Sequence, residues 1–454
     1  MLKHKHKHSP SPETGHLDAQ LLALRPRVLW QAIRREHFGF GFLALYLIFL
    51  YLKPWEAHPW LAVIPLERLA ILGVIVGFVL SAEYKVPRSS LNWMITLFFL
   101  QCIVSSALAY KPAYAFSEID VIAEYFVIYF LVTGIVNSER RLFLFFLVYL
   151  LANFKMSEFG FFSWLRRGFH FASYGITGAG WYRNSGELGM EMAMFFDFVL
   201  CLTIVLRKYW SKWTRWLMYF VAFTAACCVI ASSSRGAVLA LAASMLFLVI
   251  LRESKIKALA GTAALFLAGY LLIPDRFLLR FDTTGHDITS DTRLDYWAKC
   301  RLMMHQHPFF GVGYYNWIPY YRDHYFRPDI YWRVEMAHNT FLQLGAELGY
   351  VGLAIFMAMT ITSFLINLRS AKLAKGSGLE FLYSLALGLN VAGVSMVVGS
   401  AFLTAYWLPT YWIQFALTVC LRNVVRRRMD ELAAARLPEE PRTRGQRIPV
   451  RAYG

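Results

Sequence analysis

Blocks of about twenty apolar residues recur along the whole of this chain, and nothing else in it constrains the fold as strongly. LALYLIFLYL from Leu43 and ALAGTAALFLAGYLLI from Ala258 are parts of two of them. A helix of that length matches the hydrocarbon thickness of a bilayer, and its repetition indicates a polytopic membrane protein. Charge content agrees: 17% of the residues are charged, against about 25% in a soluble domain. The expected fold class is an all-α integral membrane protein with about twelve transmembrane helices and two larger loops, the second partly helical.

The spans are expected at roughly 39–53, 62–82, 92–110, 118–136, 142–160, 188–206, 214–231, 236–251, 258–273, 340–368, 378–399 and 404–421. Alternate connections carry the cations: Lys85 and Arg88, Arg140 and Arg141, Arg207 with Lys208 and Lys212, Arg252 with Lys255 and Lys257, Arg369 with Lys372 and Lys375, and Arg422 with Arg426 to Arg428. With an even count these share one side with the basic N-terminus, and retained positive charge marks that side as cytoplasmic. The chain then divides into a cytoplasmic basic tail (1–38), nine spans (39–273) interrupted by an outward loop (161–187), a large outward loop (274–339), three further spans (340–421) and a second basic tail (422–454).

The net charge of +17 is therefore topological. A nucleic-acid reading needs a basic face on a folded soluble domain, and none is present in the sequence. Five of the six cysteines lie in apolar blocks and only Cys300 in a polar segment, so no disulfide framework or zinc pattern follows. The start, MLKHKHKHSPSPETGH, has no adjacent apolar core of signal-peptide type, so the first span is expected to act as the insertion signal.

The 274–339 loop holds His286, His305, His307, His324 and His338 and many aromatic residues, a composition that folds rather than stays disordered. It runs into HNTFLQLGAELGYVG, where Gly345, Gly349 and Gly352 follow His338 at offsets of 7, 11 and 14. These lie on one helical stripe, a spacing that lets two membrane helices approach closely. His338 then tops an inward-facing stripe, either as a satisfied interfacial histidine or as a working one. Glu347 falls on roughly the opposite face, better placed for a structural contact in the bundle.

Three other segments offer cations. In ASSSRG (231–236), Arg235 has no acidic sequence neighbour; it either snorkels to the interface or meets a partner, a water-filled cavity or an anion. Ser232, Ser233 and Ser234 can solvate the turn or a phosphate. In ITSDTRLDYWAKCRLMMHQHPFFGVG (288–313), Ser290 or Asp291 reads as an N-cap, Leu294, Trp297, Ala298 and Leu302 as the buried face, and Arg293 as a first-turn guanidinium. Arg293 can grip a phosphate or pair with Asp291 or Asp295. The glycine-bearing HPFFGVG is expected to dock the loop on the membrane helices. The 161–187 loop adds Arg166, Arg167 and Arg183, the last beside Trp181 and Tyr182, which suit interface anchoring. Asp197 inside a span needs one internal hydrogen-bond partner. His305-x-His307 can ligate a metal, but no further ligands stand at recognisable spacing.

Together, HNTFLQLGAELGYVG, SSSRG between two spans and the Arg293…Trp297…HPFFGVG run resemble the O-antigen ligase and polymerase superfamily, the ligases most of all. The resemblance covers roughly residues 180–360 by motif and 40–425 by span count. It implies a multi-pass glycosyltransferase of the bacterial inner membrane with a periplasmic active site. A glycan would pass from undecaprenyl pyrophosphate to a lipid A–core hydroxyl, completing lipopolysaccharide, with no metal and no cofactor. Charge building on the pyrophosphate then falls to Arg235 and Arg293, with Arg183 a weaker third, and the acceptor hydroxyl to His338 as base. Asn339, Ser234 and Arg166 are possible substrate contacts. The partners implied are the lipid-linked donor, the lipid A–core acceptor and membrane lipids, with no nucleic acid. A chain polymerase of the same superfamily is the alternative, and a transporter or lipid flippase the reading from a different class.

Overall fold

The computed structural model describes residues 17–170, 175–272, 288–328 and 333–435; His286 lies outside them. A helix occupies each of the twelve segments expected to be apolar spans. Among the described residues six helices are both long and apolar enough to cross a membrane: Ser90–Ala107, Glu139–Arg166, Ser185–Tyr209, Lys212–Ala231, Thr340–Gly376 and Glu380–Ser400. The chain is an all-α, multi-pass membrane protein. Residues Pro26–Arg34, in the expected N-terminal tail, form a further helix bent 120° from the helix Phe38–Leu52. The last helix, Pro409–Ala434, runs well into the expected C-terminal tail.

Helix starts follow local chemistry. Ser89, Ser138, Asn184, Ser211, Ser234 and Asn339 each accept a backbone N–H from the first turn they precede, satisfying donors that have no partner within the helix. The helix Ser185–Leu206 is the most buried and packs against Glu380–Ser400, Arg235–Leu251 and Lys212–Ala231. Its Asp197 accepts from Ser244 Oγ at 3.0 Å and Ser395 Oγ at 2.6 Å, one more partner than the sequence required. Its Glu191 accepts from Tyr149 Oη at 2.9 Å and Thr410 Oγ1 at 2.6 Å. Each buried carboxylate thus pins two neighbouring elements to the central helix, the condition under which such a group is tolerated in a bundle.

The basic connections gather at one end of the bundle. Glu36 bridges Arg140 and Arg141, Arg141 reaches Glu83 at 2.9 Å, and Arg428 reaches Glu139 at 3.2 Å. Lys208 pairs with Glu380, and Lys375 with Glu253. The described parts of the large loop lie at the other end, as two helices, Ile288–Gln306 and Trp317–His324.

Two expectations for this loop need correction. The first helix begins at Ile288, so Ser290 and Asp291 lie inside its first turn and Arg293 is its sixth residue, beyond the strongest pull of the helix dipole. Its buried face is Tyr296, Cys300 and Met303, whereas Leu294, Ala298 and Leu302 are exposed. The surface it meets, formed by Trp317, Tyr321 and Ala346, accommodates rings and thioethers rather than a leucine ridge.

The glycine stripe also packs differently from the expectation of two close membrane helices. Helix Thr340–Gly376 is broken at Gly349, whose φ of 71° and ψ of −177° suit glycine alone. The HPFFGVG segment fills the break. Val312 N–H donates to Ala346 O at 2.8 Å, Gly313 N–H to Glu347 O at 3.1 Å, and Tyr350 N–H to Pro308 O at 2.7 Å. From helix Ser90–Ala107, Gln101 Nε2 donates to Phe309 O and Leu348 O, and Ser105 Oγ to Phe310 O and Glu347 O. The carbonyls freed by the kink are thereby paired inside protein, a setting in which irregular backbone is tolerated at membrane depth. Gly345 makes room for Met304 of the loop, while the space beside Gly352 is filled by Leu348 of its own helix. The expected docking of HPFFGVG is seen; the stripe serves that loop.

Candidate functional site

His338 ends an irregular segment that side chains hold in place of a sheet. Glu335 N–H donates to Tyr296 Oη at 3.1 Å, Trp317 Nε1 to Glu335 O at 3.0 Å, and Trp297 Nε1 to Ala337 O at 2.9 Å. Ala337 N–H donates to Gln343 Oε1 at 2.9 Å. Three helices thus clamp the backbone just before the histidine. His338 itself takes the left-handed conformation, φ 52°, a state costing about 1–3 kcal/mol that persists only where its surroundings over-determine it.

Glu335 Oε2 lies 3.6 Å from His338 Nε2, and Arg333 Nε donates to Glu335 Oε1 at 2.6 Å. His338 first, then Arg333, pull the half-exposed Glu335 carboxyl down to about 2. The carboxylate is therefore ionised at neutral pH and places a negative charge beside the imidazole, an electrostatic bias on its orientation. No sequence pattern marks Glu335. It precedes His338 by three positions in irregular backbone, and only the turn brings the two together.

Glu347 does not contact His338, as its helical phase indicated, yet it supports it. Its Oε1 accepts from Trp317 N–H and Gln343 Nε2, each at 3.2 Å, and its Oε2 from Tyr406 Oη. Gln343 carries that support on to Ala337.

Asn339 caps the helix that follows, accepting from Leu342 N–H at 3.0 Å, and its Nδ2 donates to Ala401 O at 3.1 Å. Thr340 Oγ1 donates to Leu403 O at 2.7 Å and accepts from Ala405 N–H at 2.9 Å. The same 401–405 turn packs against the SSSRG turn, because a Cβ added at Gly236 would lie 2.8 Å from Phe402 Cβ. A Cβ at Gly186 would lie 3.7 Å from both Leu403 Cδ1 and Ser234 Oγ, and 3.2 Å from Asn184 Oδ1. The capped starts of helices Ser185–Leu206, Arg235–Leu251 and Thr340–Gly376 therefore converge on one turn. Three positive helix ends in one place, with their N–H groups, form an environment for anionic oxygen.

Of the expected site residues, Arg235 is the first residue of its helix, half-buried beside the cap Ser234, after Ser233 in a left-handed turn (φ 55°). Arg293 is half-buried one turn before Tyr296 and Trp297, on the side of its helix that meets the 335–337 segment. Arg183 precedes the cap Asn184 but pairs with Glu56 at 2.9 Å and is largely exposed. Beside it, Tyr182 is fully buried, where interface anchoring was expected, and Trp181 lies under Lys53. Arg166 is exposed in the last turn of Glu139–Arg166, and no contact among the described residues joins it to the His338 cluster. His305 and His307 engage separate tyrosines, Tyr350 at 3.3 Å and Tyr320 at 3.2 Å.

No curated protein matches this chain. A family model described as O-antigen ligase matches residues 220–357, a range that contains Arg235, Arg293, Glu335 and His338. Over the loop and helices that build the His338 end of the bundle, the chain is therefore similar to that family.

Proposed function

We propose that the protein is an O-antigen ligase, a metal-independent inverting glycosyltransferase that moves a glycan from undecaprenyl pyrophosphate to a hydroxyl of lipid A–core. The basic end of the bundle faces the cytoplasm and the His338 end the periplasm of a bacterial inner membrane. The observation that supports this reading most is the placement of His338. An ionised carboxylate and a clamped segment hold it beside three converging helix starts, one of which opens with Arg235.

In this reading Nε2–H of His338 points at Glu335, leaving Nδ1 to accept the proton of the acceptor hydroxyl. The hydroxyl oxygen bonds to the anomeric carbon as the bond from that carbon to the pyrophosphate oxygen breaks on the opposite face. The configuration inverts and undecaprenyl pyrophosphate leaves. Arg235 and Arg293, with the N–H groups of the capped helix starts, take up the charge that gathers on the leaving oxygen. Ser234 and Asn339 serve as caps and can contact substrate from the same turns; Arg183 and Arg166 are peripheral contacts at most.

The test is transfer by purified protein in detergent, with lipid-linked glycan and lipid A–core supplied and no ion gradient. Glycosylated core is the expected product, and its loss in a well-folded His338→Ala variant supports the base. Lengthened carrier-linked glycan with unmodified core would make the protein a polymerase. No transfer under any acceptor condition would overturn the enzyme reading in favour of transport.

A further inference from the structure

A groove opens at the basic end of the bundle, remote from His338 and unused by that chemistry. It lies between the turn before helix Ser90–Ala107, the first turns of that helix, and the last helix; Arg88, Ser90, Asn92, Trp93, Phe130 and Arg422 line it. Two guanidiniums share one mouth. Arg422 Nη1 donates to Arg88 O at 2.8 Å, which fixes one cation over the turn carrying the other. Among the described residues neither meets a carboxylate. The wall beneath is braced: Asn92 Nδ2 donates to Pro87 O at 2.8 Å, and Tyr129 Oη to Asn92 Oδ1 at 2.9 Å.

The groove continues into an apolar face. Trp93 is 75% exposed, and Leu97 and Leu100 follow it outward on the same helix at 53% and 49%. In a membrane protein that face meets acyl chains, and an exposed tryptophan at its end sits at headgroup level. A cationic mouth with no acid, opening onto an acyl-facing wall, matches one ligand chemistry: a phosphodiester with hydrocarbon attached.

We propose that this groove binds the headgroup of an anionic glycerophospholipid from the surrounding bilayer. The phosphodiester oxygens lie between Arg88 and Arg422, the Ser90 hydroxyl donates to them, and one acyl chain runs along Trp93 and Leu97. The proposal does not depend on the transfer reaction, since it uses only the membrane fold and this groove.

Native mass spectrometry of the full chain in mild detergent tests it, with dioleoyl phosphatidylglycerol and dioleoyl phosphatidylethanolamine titrated separately. Phosphatidylglycerol should be retained in preference. Arg88→Gln and Arg422→Gln should each weaken its retention about tenfold, the loss of one charge-assisted contact. Arg426→Gln, at an exposed cation outside the groove, should change nothing. Arg88 is exposed, and among the described residues its side chain makes no hydrogen bond or ion pair, so its variant reports binding rather than folding. Equal retention of the two lipids, or equal losses from Arg426→Gln and Arg88→Gln, would overturn the site in favour of diffuse attraction. Full competition by glycerol phosphate, which lacks acyl chains, would overturn the lipid in favour of a soluble phosphate.

Discussion

Glu335 and His338 face each other across a left-handed turn, Oε2 to Nε2 at 3.6 Å, with Arg333 on the carboxylate's other side. The pair couples a charge to an imidazole at the point where the loop becomes a helix. Glu335→Gln keeps the shape and removes the charge. If His338 is the base, kcat should fall by about 10-fold to 100-fold while KM for the donor stays within a factor of about two, since the residue touches no substrate. Steady-state rates on both substrates check this, and an unchanged kcat would remove Glu335 from the reaction.

The same carboxylate sets a pH window. Its value is depressed, to about 2, from about 4.3 in an unfolded chain. Its stabilisation of the 333–338 segment is therefore fully present above about pH 4.3 and lost as pH falls toward 2. Fluorescence of Trp297 and Trp317, whose indoles bond this segment, should hold steady from pH 8 to about 5 and change only below about 4. In Glu335→Gln that acid transition should be absent; an identical transition in the variant would assign it elsewhere.

Glu347 acts one step further out. Removing it leaves Trp317 N–H, Gln343 and Tyr406 without their common acceptor. Glu347→Ala should cost about 2–3 kcal/mol of stability, since buried donors are left without their acceptor. Glu347→Gln should retain most of it and most of the transfer activity. Thermal unfolding in detergent separates the two variants; equal losses would mean that side-chain volume, not the hydrogen-bond set, supports the segment.

What the sequence made legible follows from period and length. Apolar blocks near twenty residues report a bilayer directly, so the helical segments and the side shared by the basic connections could be read. The kink at Gly349 could not, because a helical wheel runs straight through a glycine and cannot separate close packing from a break. Gln101 and Ser105, polar residues one turn apart in a span, were the available sign that irregular backbone needed partners there. The buried face of Ile288–Gln306 is not legible from periodicity, because Leu294, Ala298 and Leu302 recur at helical spacing just as Tyr296, Cys300 and Met303 do, and the partner surface is built from distant residues. Glu335 was invisible for a related reason: irregular backbone has no period from which to infer a contact.

In the proposed transfer Arg235 and Arg293 are assigned the charge work, and Arg183 offers a comparison within the same end of the bundle. Arg235→Lys and Arg293→Lys should each lower kcat by about 10²–10³-fold, because a point charge cannot reproduce the bidentate grip on developing charge. Arg183→Ala, which loses only an exposed pair with Glu56, should cost less than about threefold, the scale of a surface ion pair. A loss at Arg183 equal to those at the other two would move the leaving-group site toward residues 180–184.

Chelation tests the remaining alternative for the histidines. The resemblance implies no metal, and His305 and His307 hydrogen-bond to Tyr350 and Tyr320 respectively. Those contacts give the two rings structural work that needs no ion. EDTA at millimolar concentration should leave the transfer rate unchanged, and Tyr320→Phe should lower stability by about 1 kcal/mol, as for one neutral hydrogen bond, without lowering kcat. Strong inhibition by EDTA, reversed by one added divalent cation, would instead assign a metal to this loop and reopen the part played by Arg293.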